Sequence, residues 1–185
     1  MTAIHGRRSV RSYAPGKLGS DVVHTLLAAA VQAPTAIHEE PWAFVVLHDA
    51  KLLQRISDRA RGFLAEEARR LHREKQSRLP EGSRTEFSIF YNAETLVVIY
   101  AKTGEGRFVV ADCWLAAENL MLAAYSMGLG SCVIGSAVPA MEDAETRAEL
   151  GIPDGFTAFV PVIVGVPTGD IPPVSRKEPE ILVWK

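Results

Sequence analysis

The longest helical pattern in the chain, from about Phe108 to Met127, most constrains the fold. It is rich in alanine, leucine and methionine, and its charged residues are Asp112 and Glu118. A helix that is apolar nearly all round is buried on most of its sides. The pattern therefore predicts a central helix or a helix at an oligomer interface. We expect it to end before Gly128, which stands where a C′ glycine belongs.

A second apolar stretch, Thr95 to Tyr100, lacks the alternation of a half-exposed strand. An unbroken run of this length is typical of a strand covered on both faces by helices. The other predicted strands are Ala43–Leu47, Ser131–Ile134, Phe156–Val166 and Ile181–Trp184. Two helices are predicted to begin after the capping residues Ser20 and Asp49, and two more are predicted at Arg59–Arg78 and Glu142–Leu150. The chain is thus predicted to be one α+β domain, residues 1–185, with a mixed sheet of four to five strands flanked by helices.

The tail from Pro167 to Lys185 is rich in proline and charge, yet it ends in the apolar segment Ile181–Trp184. A strand of this kind is unusual at the end of a monomer, because it leaves an exposed edge. Adding it to the sheet of a second copy would cover that edge. The tail therefore favours an obligate homodimer with tail exchange.

The charge and the cysteines narrow the possible partners. The net charge is −2 and the pI is about 6.2, which disfavours a general nucleic-acid or membrane surface. Cys113 and Cys132 match neither a metal spacing nor a redox pair. The N-terminus lacks the apolar region of a signal peptide, and no uncharged run is long enough for a transmembrane helix. We expect a cytoplasmic protein without a metal site.

Three arginines and two serines lie close together in the N-terminal segment Arg7-Arg8-Ser9-Val10-Arg11-Ser12-Tyr13. A guanidinium offers a rigid fork of donors that matches phosphate, and serine hydroxyls complete such a site. Because alternate residues of an extended segment point to the same side, Arg7, Ser9 and Arg11 could all face one ligand. On these residues alone, a solvated basic turn or a weak nucleic-acid contact stays open.

This segment is the first of four motifs whose order along the chain resembles that of a known family. They are the Arg-Arg-Ser-x-Arg-x-Tyr start, then Ala-Pro-Thr-x-x-x-x-Glu-Pro-Trp, then the alanine-rich helix ending Met-Gly-Leu-Gly-Ser-Cys-Val-Ile-Gly, and last a glycine-proline tail with an Arg-Lys pair. Over essentially its full length the chain resembles the FMN-dependent nitroreductase family. The resemblance implies a homodimer with FMN at the subunit interface and NAD(P)H as co-substrate. A small-molecule electron acceptor is then reduced at the same place in a ping-pong cycle.

The resemblance also implies roles for individual residues. Arg7, Arg8 and Ser9 would bind the phosphate and ribityl side of FMN, and Arg176 would return to the phosphate. Arg11 would face the N1/O2 edge of the ring, where a cation stabilises the negative charge gained on reduction. The remaining cofactor-binding residues would be Pro34, Thr35 and Ala36 of the other subunit, and Gly135 and Ser136 over the N5/O4 edge.

The second motif departs from the family pattern at two positions. The family commonly has Asn and Gln where this chain has His38 and Glu40. Neutral histidine can donate and accept, as asparagine does, so His38 could keep the flavin contact and add a group that titrates near neutral pH. The open alternatives are that both residues only fill the loop, or that His38 joins Arg11 and Gly135 as a catalytic residue.

Three functions follow from these patterns. The first is an FMN-dependent oxidoreductase that uses NAD(P)H to reduce nitroaromatics, quinones or related acceptors. The second is a specialised flavoenzyme of the same fold, such as a dehalogenase or a dehydrogenase. The third is a flavin-binding protein without turnover. This hypothesis is kept because His38 and Glu40 replace the residues that the family commonly has at these positions.

Overall fold

The computed structural model describes residues 1–72, 88–102 and 106–185, and their strands form one four-stranded sheet. The strands are β1 (Trp42–Leu47), β2 (Leu96–Lys102), β3 (Gly130–Val133) and β4 (Phe156–Gly165), in the spatial order β1-β2-β4-β3. All three pairings are antiparallel. A single parallel bridge between Ser9 and Ser131 adds the N-terminal segment beyond β3. The predicted α+β architecture, a sheet of four to five strands flanked by helices, is confirmed, whereas the sheet was predicted to be mixed and its four strands pair only antiparallel.

Six α-helices lie in the described residues, together with two short 3-10 turns. The helices are α1 (Thr2–Gly6), α2 (Ser20–Ala30), α3 (Ala50–His72), α4 (Val109–Ser126), α5 (Val138–Glu142) and α6 (Ala144–Leu150), and the turns are Ala36–His38 and Gly135–Ala137. The backbone N–H of Leu52 donates to Asp49 over 2.8 Å, so the predicted cap of α3 is confirmed.

Three predicted helix boundaries were wrong. Ser20 is the first residue of α2, and Gly19 holds the cap position. The two helices predicted on either side of Arg59 are the single helix α3, because no glycine-proline break separates them. Its predicted end at Arg78, and the break at 79–82, lie outside the described residues. Helix α6 starts two residues later than predicted, because the Asp143 side chain accepts from the N–H of Thr146 and caps it.

Strand β2 separates two hydrophobic cores, as its unbroken apolar run predicted. Its residues Leu96, Val98 and Tyr100 belong to the core beneath α3 and α5. The alternate residues Val97, Ile99 and Ala101 belong to the core beneath α2 and α4. All six are buried. The prediction of a strand covered on both faces is confirmed.

Helix α4 matches the predicted helix within a residue at each end, and Gly128 follows it with a φ of 75°, in the left-handed region that a C′ glycine adopts. Its inner face is fully buried, but Val110, Trp114 and Leu115 are about half exposed on its outer face. Within one chain this face is not covered, so the alternative that α4 lies at an oligomer interface stays a prediction. An exposed apolar stripe on a helix is typical of an interaction surface.

The predicted strand at Ile181–Trp184 does not form in the single chain. The residues after Pro167 contain neither helix nor strand, and Leu182 and Trp184 are each 86% exposed. A strand needs a neighbouring backbone to satisfy its N–H and C=O groups, and the tail lies along no free edge of this sheet.

Candidate functional site

The arginine segment lies along the outer edge of β3. The N–H of Val10 donates to the carbonyl of Ser131 over 3.0 Å, next to the Ser9–Ser131 bridge. Tyr13 pairs with Pro167, and its buried hydroxyl donates to the carbonyl of Val10 over 2.8 Å. These contacts fix the segment in an extended form at the edge of the sheet.

The structure does not show the predicted alternation of side chains in this segment. Arg7 and Arg8, which are adjacent in sequence, line one cavity together with Val10, whereas Arg11 lines another. Burial raises the pKa of the Cys132 thiol, and the charges of Arg11 and Arg7 and a side-chain hydrogen bond with Ser9 act to lower it. The placement of Arg7, Ser9 and Arg11 against one ligand therefore stays a prediction.

A cavity of about 250 Å³ opens where β3 ends. It brings Arg11 together with Gly135 and Ser136, the residues predicted for opposite edges of a flavin ring. Its lining residues are Arg11, Leu64, Ile89, Tyr91, Cys132, Val133, Ile134, Gly135 and Ser136. A Cβ built on Gly135 would meet no atom within 4 Å, so the space over this glycine is open. We call this cavity the β3 pocket.

Arg7 and Arg8 line a larger neighbouring cavity of about 670 Å³, between α1, the C-terminal end of α4 and the start of the tail. The Nε of Arg7 lies 3.3 Å from a carboxylate oxygen of Glu118, an ion pair without hydrogen-bond geometry. Arg8 donates from Nη1 to the carbonyls of His5 and Arg7. The Nε atoms of both arginines are buried and have no hydrogen-bond acceptor among the described residues, so these two atoms do not face the open cavity.

The loop with the departures from the family pattern lies elsewhere. Pro34, Thr35, Ala36 and His38 precede β1, which is the opposite edge strand from β3. Three inter-strand spacings separate these edges, about 14 Å. None of the four residues lines the β3 pocket. His38 and Glu40 have φ values of 60° and 45°, a left-handed conformation that is costly for residues other than glycine.

A second measure agrees with this separation. The carboxylate of Glu39 lies beside Gly106, which precedes α4, whereas Arg7 meets α4 at Glu118. Val109 and Glu118 are nine positions apart, which corresponds to about 14 Å along a helix axis. Within one chain, the loop and the arginine segment therefore do not meet. Arg176, in the exposed tail, also lines neither cavity.

Six of the residues that line the β3 pocket were not predicted as site residues. They are Leu64, Ile89, Tyr91, Cys132, Val133 and Ile134. Cys132 was interpreted as a small buried hydrophobe, and Leu64 as one of the few large apolar residues on the buried side of a charged helix. Tyr91 had a signal from the family resemblance, because members often place flavin or substrate contacts just upstream of this strand. Packing was favoured there over a substrate lid, and the turn conformation of Tyr91, which tyrosine rarely adopts, could not be predicted.

The family model described as "Nitroreductase family" matches residues 4–166 of the chain. This range includes the arginine segment, the whole sheet and the β3 pocket. The chain belongs to the nitroreductase family.

Its relatives include proteins of known structure. A nitroreductase with bound FMN from Bacteroides fragilis is 28% identical, with a TM-score of 0.82 over 99% of this chain and 97% of that one. An Archaeoglobus fulgidus protein with the provisional name NADH dehydrogenase/NAD(P)H nitroreductase is 29% identical over 172 residues, 90% of this chain and 84% of its own. An iodotyrosine deiodinase from Danio rerio is 37% identical over 57 residues, 31% of this chain and 19% of that protein.

The residues of this chain fit FMN. The backbone of Gly135 is open to a group that approaches it closely, and Arg11 lines the same pocket. Arg7 and Arg8 line the larger neighbouring cavity, where two guanidiniums would favour a phosphate. Among the described residues, no helix combines the length and apolar character needed to cross a membrane.

Proposed function

We propose that this chain is an FMN-dependent oxidoreductase that uses NAD(P)H, in a ping-pong cycle, to reduce nitroaromatics, quinones or related small-molecule acceptors. The observation that carries the proposal is the β3 pocket, which is lined both by the cation of Arg11 and by Gly135, a glycine with open space where a Cβ would lie. Family membership and the FMN bound by the Bacteroides fragilis structure support the choice of cofactor. The name of the Archaeoglobus fulgidus relative supports the choice of reductant.

When bound, FMN supplies the hydride chemistry, and the protein supplies binding and electrostatics. Arg11 contributes a fixed positive charge at the pocket, which favours negative charge on the ring edge beside it. Gly135 and Ser136 begin a helical turn, whose first N–H groups have no acceptor within the turn and are available to a carbonyl or ring nitrogen. Arg7, Arg8 and Ser9 hold the phosphate end, together with Arg176 of the tail.

We also propose that the working enzyme is a homodimer in which a second copy completes each site. The loop with Pro34, Thr35, Ala36 and His38 is about 14 Å from the arginine segment of its own chain by the strand spacing. It can therefore contribute to a β3 pocket only from a partner. The exposed apolar face of α4 and the exposed tail residues Leu182 and Trp184 provide the surfaces for such a partner. In this arrangement His38 would add a titratable group beside the partner's ring.

The test begins with the purified protein under anaerobic conditions. The proposal expects a yellow protein whose flavin absorbance bleaches on mixing with NADH or NADPH and returns on adding a nitroaromatic or a quinone. The two nicotinamides are titrated separately, because the chain has no glycine-rich dinucleotide motif from which to choose between them. A colourless protein that does not take up added FMN would refute the proposal. A flavin-loaded monomer at micromolar concentration, measured by sedimentation, would refute the shared site.

A second candidate function is reductive dehalogenation. It is supported by the similarity of 57 residues to the Danio rerio deiodinase. A panel containing 3-iodotyrosine beside nitroaromatics and quinones distinguishes the two. Halide release at a rate above that of nitroaromatic or quinone reduction would favour the dehalogenase.

A further inference from the structure

The chain reverses direction before β2 through a turn with an unusual residue. Phe90 to Ala93 form a four-residue turn closed by a 2.9 Å hydrogen bond from the N–H of Ala93 to the carbonyl of Phe90. Its two central residues, Tyr91 and Asn92, have φ values of 52° and 59°. Two central residues with positive φ define a type I′ turn, which strongly prefers asparagine, aspartate or glycine. Asn92 fits that preference and Tyr91 does not.

The residues around the turn keep Tyr91 in this conformation. Phe90 and Ala93 are buried in the core beneath α3. The N–H of Ile89, just before the turn, donates to the hydroxyl of Ser57, which is itself fully buried in α3. A residue in a sparsely populated backbone conformation persists only when its surroundings enforce it, and such residues cluster at functional sites. The turn is therefore a rigid support for the tyrosine ring.

The ring that this turn presents lies against Arg11. The guanidinium carbon of Arg11 stands over the Tyr91 ring, 5.9 Å from its centroid, and both residues line the β3 pocket. Arg11 is otherwise exposed and forms no ion pair with a carboxylate of the described residues. An arginine side chain has many rotamers, and a cation over an aromatic face is stabilised within about 6 Å.

From this geometry we infer that Tyr91 is a positioning residue for Arg11. Its ring holds the guanidinium at the rim of the β3 pocket, so that the positive charge is in place before the flavin gains electrons. Preorganised charge needs no reorientation when the negative charge develops, which is why its placement matters as much as its presence. The inference rests on the proposed function, because it assigns the charge of Arg11 to the flavin.

The test uses variants of Tyr91 in the full-length protein and measures the FMN dissociation constant and the reduction potential of the bound flavin. Tyr91→Phe keeps the ring and should preserve both values. Tyr91→Leu removes the ring and should raise the dissociation constant by about two- to fivefold, the range of an exposed cation–π contact, and lower the potential. Tyr91→Asn, which suits the turn better, should show the same losses and serves if the leucine variant folds poorly. Asn92→Gly is the matched control, with both values unchanged.

A double-mutant cycle with Arg11→Ala decides whether Tyr91 acts through the arginine. In the Arg11→Ala background, Tyr91→Leu should have no further effect on either value. Losses that add in full, or a Tyr91→Phe variant as impaired as Tyr91→Leu, would overturn the positioning role while leaving the flavin assignment intact. A wild-type protein that binds no FMN would instead overturn the proposed function, and the inference with it.

Discussion

Gly135 offers a way to separate the binding of FMN from the stability of the fold. It begins the turn after β3, has no requirement for a positive φ, and has open space where a Cβ would lie. Gly135→Ala therefore places a methyl group in the β3 pocket without a clash in the protein itself. Only a molecule that fills the pocket close to the backbone would meet the new methyl group.

The two expected effects have opposite signs. Replacing glycine by alanine in a compatible conformation stabilises a protein by about 0.4–1 kcal/mol, because the unfolded chain loses freedom. Forcing an extra methyl group into a closely packed contact costs about 1–3 kcal/mol. If FMN packs over Gly135, its dissociation constant should rise roughly five- to 150-fold, since each ~1.4 kcal/mol is a factor of ten. The variant would then be a more stable apoprotein and a weaker flavin binder.

The assay combines urea unfolding of the apoprotein with a fluorescence titration of FMN. Gly62→Ala is the matched control, because Gly62 is an exposed helical glycine of α3 with nothing within 4 Å of a built Cβ. It should stabilise the apoprotein by up to about 1 kcal/mol through helix propensity and leave the FMN constant unchanged. A Gly135→Ala variant that binds FMN as tightly as the wild type would show that the ring does not lie over this glycine.

Three further predictions concern packing, pH and assembly. Gly130→Ala should lower the free energy of unfolding by about 1–3 kcal/mol in urea titration and weaken FMN binding. The reason is that the new Cβ would lie 2.8–2.9 Å from the Val10 side chain and push the arginine segment off β3. An unchanged free energy of unfolding would contradict this packing. Burial and Asp112 raise the pKa of the Cys113 thiol to about 11, from a usual 9.0, so the native state keeps its proton longer and stability falls as pH rises above 9. Between pH 9 and 10 the wild type should therefore lose up to about 1.4 kcal/mol more of its free energy of unfolding per pH unit than Cys113→Ala, as measured by urea unfolding. Equal losses in the two proteins would contradict this reasoning. Trp114→Glu should yield a monomer with reduced FMN binding in sedimentation, and a dimer with full FMN content would exclude the outer face of α4 as the interface.

The elements predicted best are those whose sequence pattern is compatible with only one kind of local structure. Strand β2 was predicted because a strand buried on both faces is apolar at successive positions, as its first six residues are, before the exposed Lys102. Helix α4 was predicted because its alanine-rich pattern ends in a glycine that adopts the left-handed conformation. Alternation along the arginine segment was not enough to place its side chains, because the adjacent residues Arg7 and Arg8 line one cavity and Arg11 lines another.

Other features depended on contacts between distant parts of the chain and had no local signal. The meeting of Arg11 with Gly135 requires the Ser9–Ser131 bridge, which joins residues far apart in sequence. The left-handed conformation of Tyr91 is imposed by buried neighbours rather than preferred by tyrosine. The tail strand was predicted from its apolar residues, but a strand forms only where an edge receives it, and one chain offers none there.

The position of β4 in the sheet has a consequence for the order of assembly on the ribosome. β4 is the last strand in sequence, yet it lies between β2 and β3, and β3 is what holds Ser9. The arginine segment leaves the ribosome early and has no docking edge until residues up to Gly165 are made. At about 5–20 residues per second, that delay is roughly 8–31 s. Cofactor capture should therefore be a late event in synthesis, and nascent chains halted before β4 should retain no FMN.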